Sequence, residues 1–491
     1  MSEEGLLLVI DAGSGGAKVF LVDSEGRIVR SSSSPWDRRQ WNPEEAWSLV
    51  CTAVKNALRL GKVNPQNVVG VSCTGMREEF VLVDKEDRCI QTTMTDDSRK
   101  HGEKTLENLG ARMYDISGHW PVPNWIAGSI LPWLRQKNQD TLKRIKHLLM
   151  TSDWVNYRLT GVAATEGSMA CETALYDVRK NLWSWELIDE LDLPREMFPD
   201  VLQSGEPLGF VTGEASQETG IASGTPVVVG GADTQCGLLG AGAKIDETIA
   251  VGGTTTPIQV LTDEPIFDKK RHTWTNNYTT PSCWTLESNA GYTGRAYRLI
   301  REALNRVYSY NDLNIYASET PSGSNGLLAY LGTHVFDAGP PYWENNQLGD
   351  IDVPRTLVGR DSYSVGELAR SVIESNCYGV RANIEQIERV SGAKLTYLKF
   401  CGGNSRSRLW AQTQADVLGV PVIVPSCVEA TALGAAICSA VGAGFYNGFD
   451  EAVEAMVRLR DPLHPDRGNH ATYERLYQKW LKVRECLPGM L

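Results

Sequence analysis

Two distant stretches of the chain carry the same local design. Residues 6–22, LLLVIDAGSGGAKVFLV, and residues 247–261, ETIAVGGTTTPIQVL, each run from an apolar strand through a loop of small residues into a second strand. In the first, residues 6–10 are expected to form one strand. Val19 and Leu21 then face one way and Phe20 and Val22 the other, before the turn DSEG at 23–26. Between the two units, TPVVVGGADTQCGLLGAGA at 225–243 drives another apolar strand into glycines and an acid, Asp233. A repeated strand-loop-strand unit with a polar glycine loop at each turn predicts two related domains facing a shared cleft. The boundary is placed near residue 245, giving domains 1–245 and 246–491.

The first loop raises a chemical question. Glycines reach backbone conformations closed to other residues, so a glycine turn needs no ligand. That accounts for Gly13, Gly15 and Gly16 but not for Asp11, because a carboxylate ending a buried strand is costly without a donor, a cation or a metal. A loop of small residues also lets backbone N–H groups approach an anion. Together these point to a metal-phosphate site. The loop is not the G-x-x-x-x-G-K-[ST] of a P-loop, since a strand follows Lys18 where that motif needs a helix, and it lacks G-x-G-x-x-G. A third glycine element comes late, where the strand Leu398 to Phe400 enters Gly402 and Gly403. A helix is expected from near Ser405, burying Leu409, Trp410 and Val417 and ending at Gly419. Backbone N–H groups at such a turn suit a phosphate or ribose oxygen.

Alternating strand and helix signals indicate an α/β protein. Asn42 and Pro43 open one helix as N-cap and first residue, with Trp47, Val50, Val54 and Leu58 on its apolar face. Ser364 and Glu367 form a capping box for another, and Tyr473, Leu476, Tyr477 and Trp480 make a core-facing stripe near the end. At 491 residues there is room for two or three domains. A formal charge of −12 argues against nucleic acid or an anionic membrane as the main partner. The 11 cysteines include no C-x-x-C pair, and no basic-apolar leader precedes the first strand, so reduced thiols and a cytoplasmic location are expected. TALGAAICSAVGAGF at 431–445 is too short to span a bilayer and reads as a tightly packed buried helix. The seven histidines show no zinc-type spacing.

The ordered set of DAGSGGAK (11–18), GVSCTGMREEFVLVD (70–84), DDSR (96–99), SDWVNYRLTG (152–161), GGADTQCGLLGAG (230–242), GGTTTPIQV (252–260) and CGGNSRSRLWAQTQADVLGVPV (401–422) resembles the FGGY family of carbohydrate kinases, whose domains are ribonuclease H-like as in actin-like ATPases. The resemblance covers nearly the whole chain. It implies an α/β fold of two such domains around an interdomain cleft, with ATP and Mg²⁺ as cofactors and a small sugar or polyol as substrate.

By the same resemblance, Asp233 is the general base, and Asp11, with Asp233, holds Mg²⁺. Gly13, Ser14 and Lys18 contact the phosphates from one side, and Gly253, Thr254 and Thr255 from the other. Gly294, Arg298, Gly402, Gly403 and Ser407 match adenosine-binding positions. Arg77 and Glu78 fall where glycerol kinase grips substrate hydroxyls, Asn124 where it has a tyrosine, and Thr234 lies beside the base. Ser14 is the only hydroxyl of the first loop, Thr95 replaces the usual tryptophan, and the M-H-G of xylulose kinases is missing. MRE, SDW and EATALGAA look most like autoinducer kinases. The expected activity is phosphorylation of a sugar, polyol or polyhydroxy ketone of autoinducer or pentulose type. The alternative is a sugar-binding regulator of the same fold with little turnover. A homodimer is left open.

Overall fold

The two glycine hairpins head two sheets with one strand plan. In the first, Leu6–Gly13 (β1), Gly16–Val22 (β2) and Ile28–Pro35 (β3) form an antiparallel meander. Val68–Gly75 (β4) joins β1 in parallel, Pro207–Phe210 (β5) is the far edge, and Pro226–Ala232 (β6) runs parallel to β4. The order is β5-β6-β4-β1-β2-β3. In the second, Thr248–Val251 (β7), Pro257–Thr262 (β8), Trp274–Asn277 (β9), Trp284–Asn289 (β10), Leu398–Cys401 (β11) and Val422–Ile423 (β12) take the order β9-β10-β8-β7-β11-β12. Without the edge strands β5 and β9, each sheet is an antiparallel trio whose first strand also carries two parallel strands on its other side. The repeat in the sequence is a repeat of topology. This computed structural model describes residues 5–36, 42–90, 96–123, 126–337 and 356–486.

Helices occupy matching places in the two plans. Pro43–Gly61 (α1) lies between β3 and β4, with Asn42 Oδ1 accepting from the backbone N–H of Glu44 at 3.0 Å and of Glu45 at 3.2 Å. Asp233–Gly240 (α2) leaves β6 directly, and Thr293–Ala303 (α3) follows β10. Val365–Ser391 (α4) opens on the Ser364–Glu367 capping box, Arg408–Leu418 (α5) links β11 to β12, and Ala430–Gly442 (α6) follows β12 as α2 follows β6. Arg467–Cys486 (α7) buries Tyr473, Tyr477 and Trp480 against the second half.

α2 and α6 meet between the sheets. A Cβ at Gly434 would overlap the Cys236 carbonyl oxygen, and one at Gly240 would overlap that of Ala430, so the helix backbones touch where only glycine allows it. The apolar core around them takes Leu7 and Val9 from β1, Phe20 and Val22 from β2, and Ile249 and Leu261 from the second sheet. Leu8, Ile10, Val19 and Leu21 point the other way, onto α1. Both faces of β1 are therefore buried, which explains its unbroken apolar run. Each such side chain contributes about 1.5–3 kcal/mol. The strand that delivers Asp11 is thus anchored from both sides.

Two local expectations are corrected. The strand β1 runs on through Asp11 to Gly13, past the apolar residues, because its ladder with β2 continues to Gly13 and Gly16. The helix expected near Ser405 starts at Arg408: residues Gly403–Arg406 form a single 3₁₀ turn, Ser407 caps the helix, and Leu409 is only partly buried. Among the described residues no helix is long and apolar enough to cross a membrane. All 11 cysteines are free.

Candidate active site

The parallel strands β1, β4 and β6 end side by side, and in open α/β sheets ligands bind beyond such carboxyl ends. Thr74 of β4 is in register with Asp11 on one flank and Gly231 on the other, and Gly75 with Ala12 and Ala232. With strands about 4.8 Å apart, Asp11 and Gly231 have backbones about 10 Å apart across β4. Asp233, two residues on, is the first residue of α2, where the helix dipole favours a carboxylate. Thr234 Oγ1 donates to Asp233 Oδ1 at 3.1 Å.

Both carboxyls are pushed up. Burial, together with the negative charges of Asp233 and Glu429, raises Asp11 to about 7 against the opposing pull of Lys18, its register partner on β2. Burial likewise raises Asp233, while Arg77 and the Thr234 bonds pull it back. The Asp233 charge is thus felt at Asp11. The oxygen donors of Asp11 and Asp233 suit a hard divalent cation, which would offset that charge.

Arg77, just past β4, is buried. Its Nη1 lies 2.6 Å from Glu287 Oε2 and 3.1 Å from Glu172 Oε1, and its Nη2 lies 2.8 Å from Glu287 Oε1. Glu287 is on β10, so the ion pair joins the two halves. Asn276 Nδ2 at 3.3 Å and Gln259 Nε2 complete the Glu287 carboxylate, and Asn276 Oδ1 meets His119 Nε2. Burial, with help from Arg77, holds the His119 imidazole neutral, at about 3. Glu78 is half-buried with φ of 63°, a left-handed backbone that costs a non-glycine residue roughly 1–2 kcal/mol.

On the opposite side three loops of the second half interlock. Gly252 N donates to Cys401 O at 2.8 Å, Asn404 N to Gly252 O at 3.0 Å, and Arg295 N to Thr254 O at 3.2 Å. Gly402 has φ of 82°, and a Cβ there would lie 2.6 Å from Gly252 O, so the approach of the two loops requires glycine. A Cβ at Gly294 would likewise overlap the Gly253 carbonyl. Gly253 and Thr254 are exposed above this junction, with Gly403 beside them and Arg298 exposed on α3. Ser407 Oγ accepts from Trp410 N at 3.3 Å, so that hydroxyl already caps α5. Ser14 and Gly15 form the exposed tip of the first hairpin. Asn124 and Thr95 lie outside the described residues.

The model of the FGGY family of carbohydrate kinases, N-terminal domain, matches residues 6–240, and that of its C-terminal domain matches residues 249–443. The chain belongs to the FGGY family of carbohydrate kinases. It is accordingly an ATP-dependent sugar kinase of two ribonuclease H-like halves. Autoinducer-2 kinase from Escherichia coli K12 is 29% identical over 514 residues, spanning 99% of this chain and 95% of the relative. The autoinducer-2 kinase of Yersinia pestis is 29% identical over 507 residues, spanning 97% and 93%. Among solved structures, xylulose kinase from Lactobacillus acidophilus superposes with a TM-score of 0.84 at 20% identity, covering 99% of this chain and 98% of that one. Plasmodium falciparum glycerol kinase with ADP gives 0.81 at 16% identity, covering 99% and 98%.

Glu172, Glu287, Asn276 and His119 were not singled out from the sequence. The signal for Glu287 was there in part: WTLESN places an acid inside a strand, the same anomaly that marks Asp11. What that acid met was invisible, because its partner Arg77 is 210 residues away.

Proposed function

We propose that this kinase transfers the γ-phosphoryl group of ATP to a hydroxyl of a small sugar, polyol or polyhydroxy ketone of autoinducer or pentulose type, with Asp233 as general base. In this reading residues 1–245 carry the acceptor and residues 246–491 the nucleotide. The observation that supports it is the placing of Asp233 at the start of α2, with Arg77 on one side and Asp11 across the end of β4. The full-length likeness to relatives named autoinducer-2 kinase favours an acceptor of that kind.

Asp233 accepts the acceptor's hydroxyl proton as that oxygen bonds to the γ-phosphorus; the bond to the β–γ bridging oxygen breaks and ADP leaves. A carboxyl raised by burial is a stronger base than one in water, and the α2 N-terminus keeps its ionised form accessible. Arg77, Glu78 and Thr234, with Asn124, orient the acceptor. Gly13, Ser14 and Lys18 meet the phosphates from the first half and Gly253, Thr254 and Thr255 from the second. Gly294, Arg298, Gly402 and Gly403 take the adenosine, with Ser407 shaping the turn beneath it. Mg²⁺, held by Asp11 and Asp233 through oxygen, would offset the phosphate charge.

A coupled ADP-release assay over pentuloses, polyols and dihydroxypentanedione tests the assignment. Sugar-dependent ADP production by at least one member is expected. Sugar binding in calorimetry without any ADP release would favour a regulator instead.

A further inference from the structure

The guanidinium beside Asp233 is already matched by carboxylates. An open arginine fork in a pocket is a receptor for a substrate carboxylate, because two parallel N–H groups fit its two oxygens. Here Glu287 fills that fork with both of its own oxygens, and Glu172 takes a further Nη1 bond. Glu287 cannot easily withdraw: Gln259 and Asn276 hold the same carboxylate from the second sheet. The imidazole nearby, His119, is buried and neutral, and supplies no second positive charge.

We propose that Glu287, reaching across from the second half, makes the acceptor pocket selective for uncharged polyhydroxy compounds and closes it to sugar acids by neutralising Arg77. This deepens the kinase reading and takes the acceptor's position from it. A sugar acid entering the pocket meets Asp233 beside an arginine fork already filled by Glu287, and like charges brought together there are strongly unfavourable. A neutral polyol meets a different surface. Three of the five N–H groups on Arg77 are engaged by Glu172 and Glu287, so what it offers an acceptor is at most single N–H bonds to hydroxyl oxygens, not a fork. Removing the Glu287 charge returns the fork to the pocket. Because Arg77 belongs to one half and Glu287 to the other, the selectivity exists only while the halves are together.

The test compares D-xylulose with D-gluconate, by calorimetry and by ADP release with MgATP, on the wild-type enzyme and on Glu287→Gln. The wild type is expected to favour D-xylulose by about 100-fold or more in kcat/KM and in affinity. Glu287→Gln is expected to bind D-gluconate about tenfold more tightly than the wild type does, and D-xylulose more weakly. Glu172→Ala, which uncovers one Nη1 bond, serves if the first variant does not fold, and is expected to move gluconate binding in the same direction. Wild-type enzyme that takes D-gluconate as well as D-xylulose overturns the proposal, as does gluconate affinity unchanged in the folded variant. Absence of ADP release with every acceptor counts against the kinase reading instead, and the calorimetric comparison of gluconate between wild type and variant still decides this one.

Discussion

Thr431 Oγ1, on α6, donates to the backbone carbonyl oxygen of Asp233, on α2, at 3.0 Å. The residue placed as general base in one half is therefore held by a helix of the other. That bond forms because Gly434 and Gly240 let the two helices meet backbone to backbone. Gly434→Ala, whose Cβ would overlap the Cys236 carbonyl, is expected to destabilise the protein by about 3 kcal/mol. Urea unfolding of the purified variant measures this; a midpoint equal to that of the wild type would mean the contact is not tight.

Asp233→Asn removes the proposed proton acceptor while keeping the shape of the side chain. Turnover should fall by roughly 10²- to 10⁴-fold, with ATP affinity kept. Because the Asp233 pKa is raised, the rate of the wild type should decline as the pH is lowered, starting above the ordinary carboxylate range. A kcat profile flat down to the normal aspartate pKa would remove Asp233 from that role.

Asp11 makes the metal-free protein pH-sensitive. Its pKa rises from 3.8 unfolded to about 7 folded, so the native state binds the proton more tightly. Its contribution to stability is present in full below 3.8 and is lost as the pH rises toward 7. Asp11→Asn should accordingly raise the Tm of metal-free protein at pH 8 by about 2–4 °C, and abolish turnover. Differential scanning calorimetry with and without Mg²⁺ checks both the sign and the metal linkage: added Mg²⁺ should stabilise the wild type and not the variant.

Arg77→Gln strips the partner from two buried acids at once. Leaving Glu287 without its cation and Glu172, which burial pushes up, without its hydrogen-bond partner should cost about 3–5 kcal/mol, besides raising the KM for the acceptor. The same change combined with Glu287→Gln should recover part of that loss, since no lone charge then remains in the second half. A double-mutant cycle by chemical unfolding reads the coupling; strictly additive costs would show that the two side chains do not act as a pair.

Some of this was written along the chain and some was not. The apolar runs either side of Gly13–Gly16 and Gly252–Thr255, the Asn42 cap and the Ser364–Glu367 box are local features. Backbone preference and side-chain spacing fix them within a few residues, and the structure reproduces them. Asp11 was readable for the same reason: an acid closing an apolar strand is a local anomaly with a physical cost. Tertiary structure alone decided what the second half brings to the first. The Glu172–Arg77–Glu287 bridge and the backbone contact of α2 with α6 join segments far apart in sequence. Coulomb forces and packing act through space, so no spacing along the chain records them.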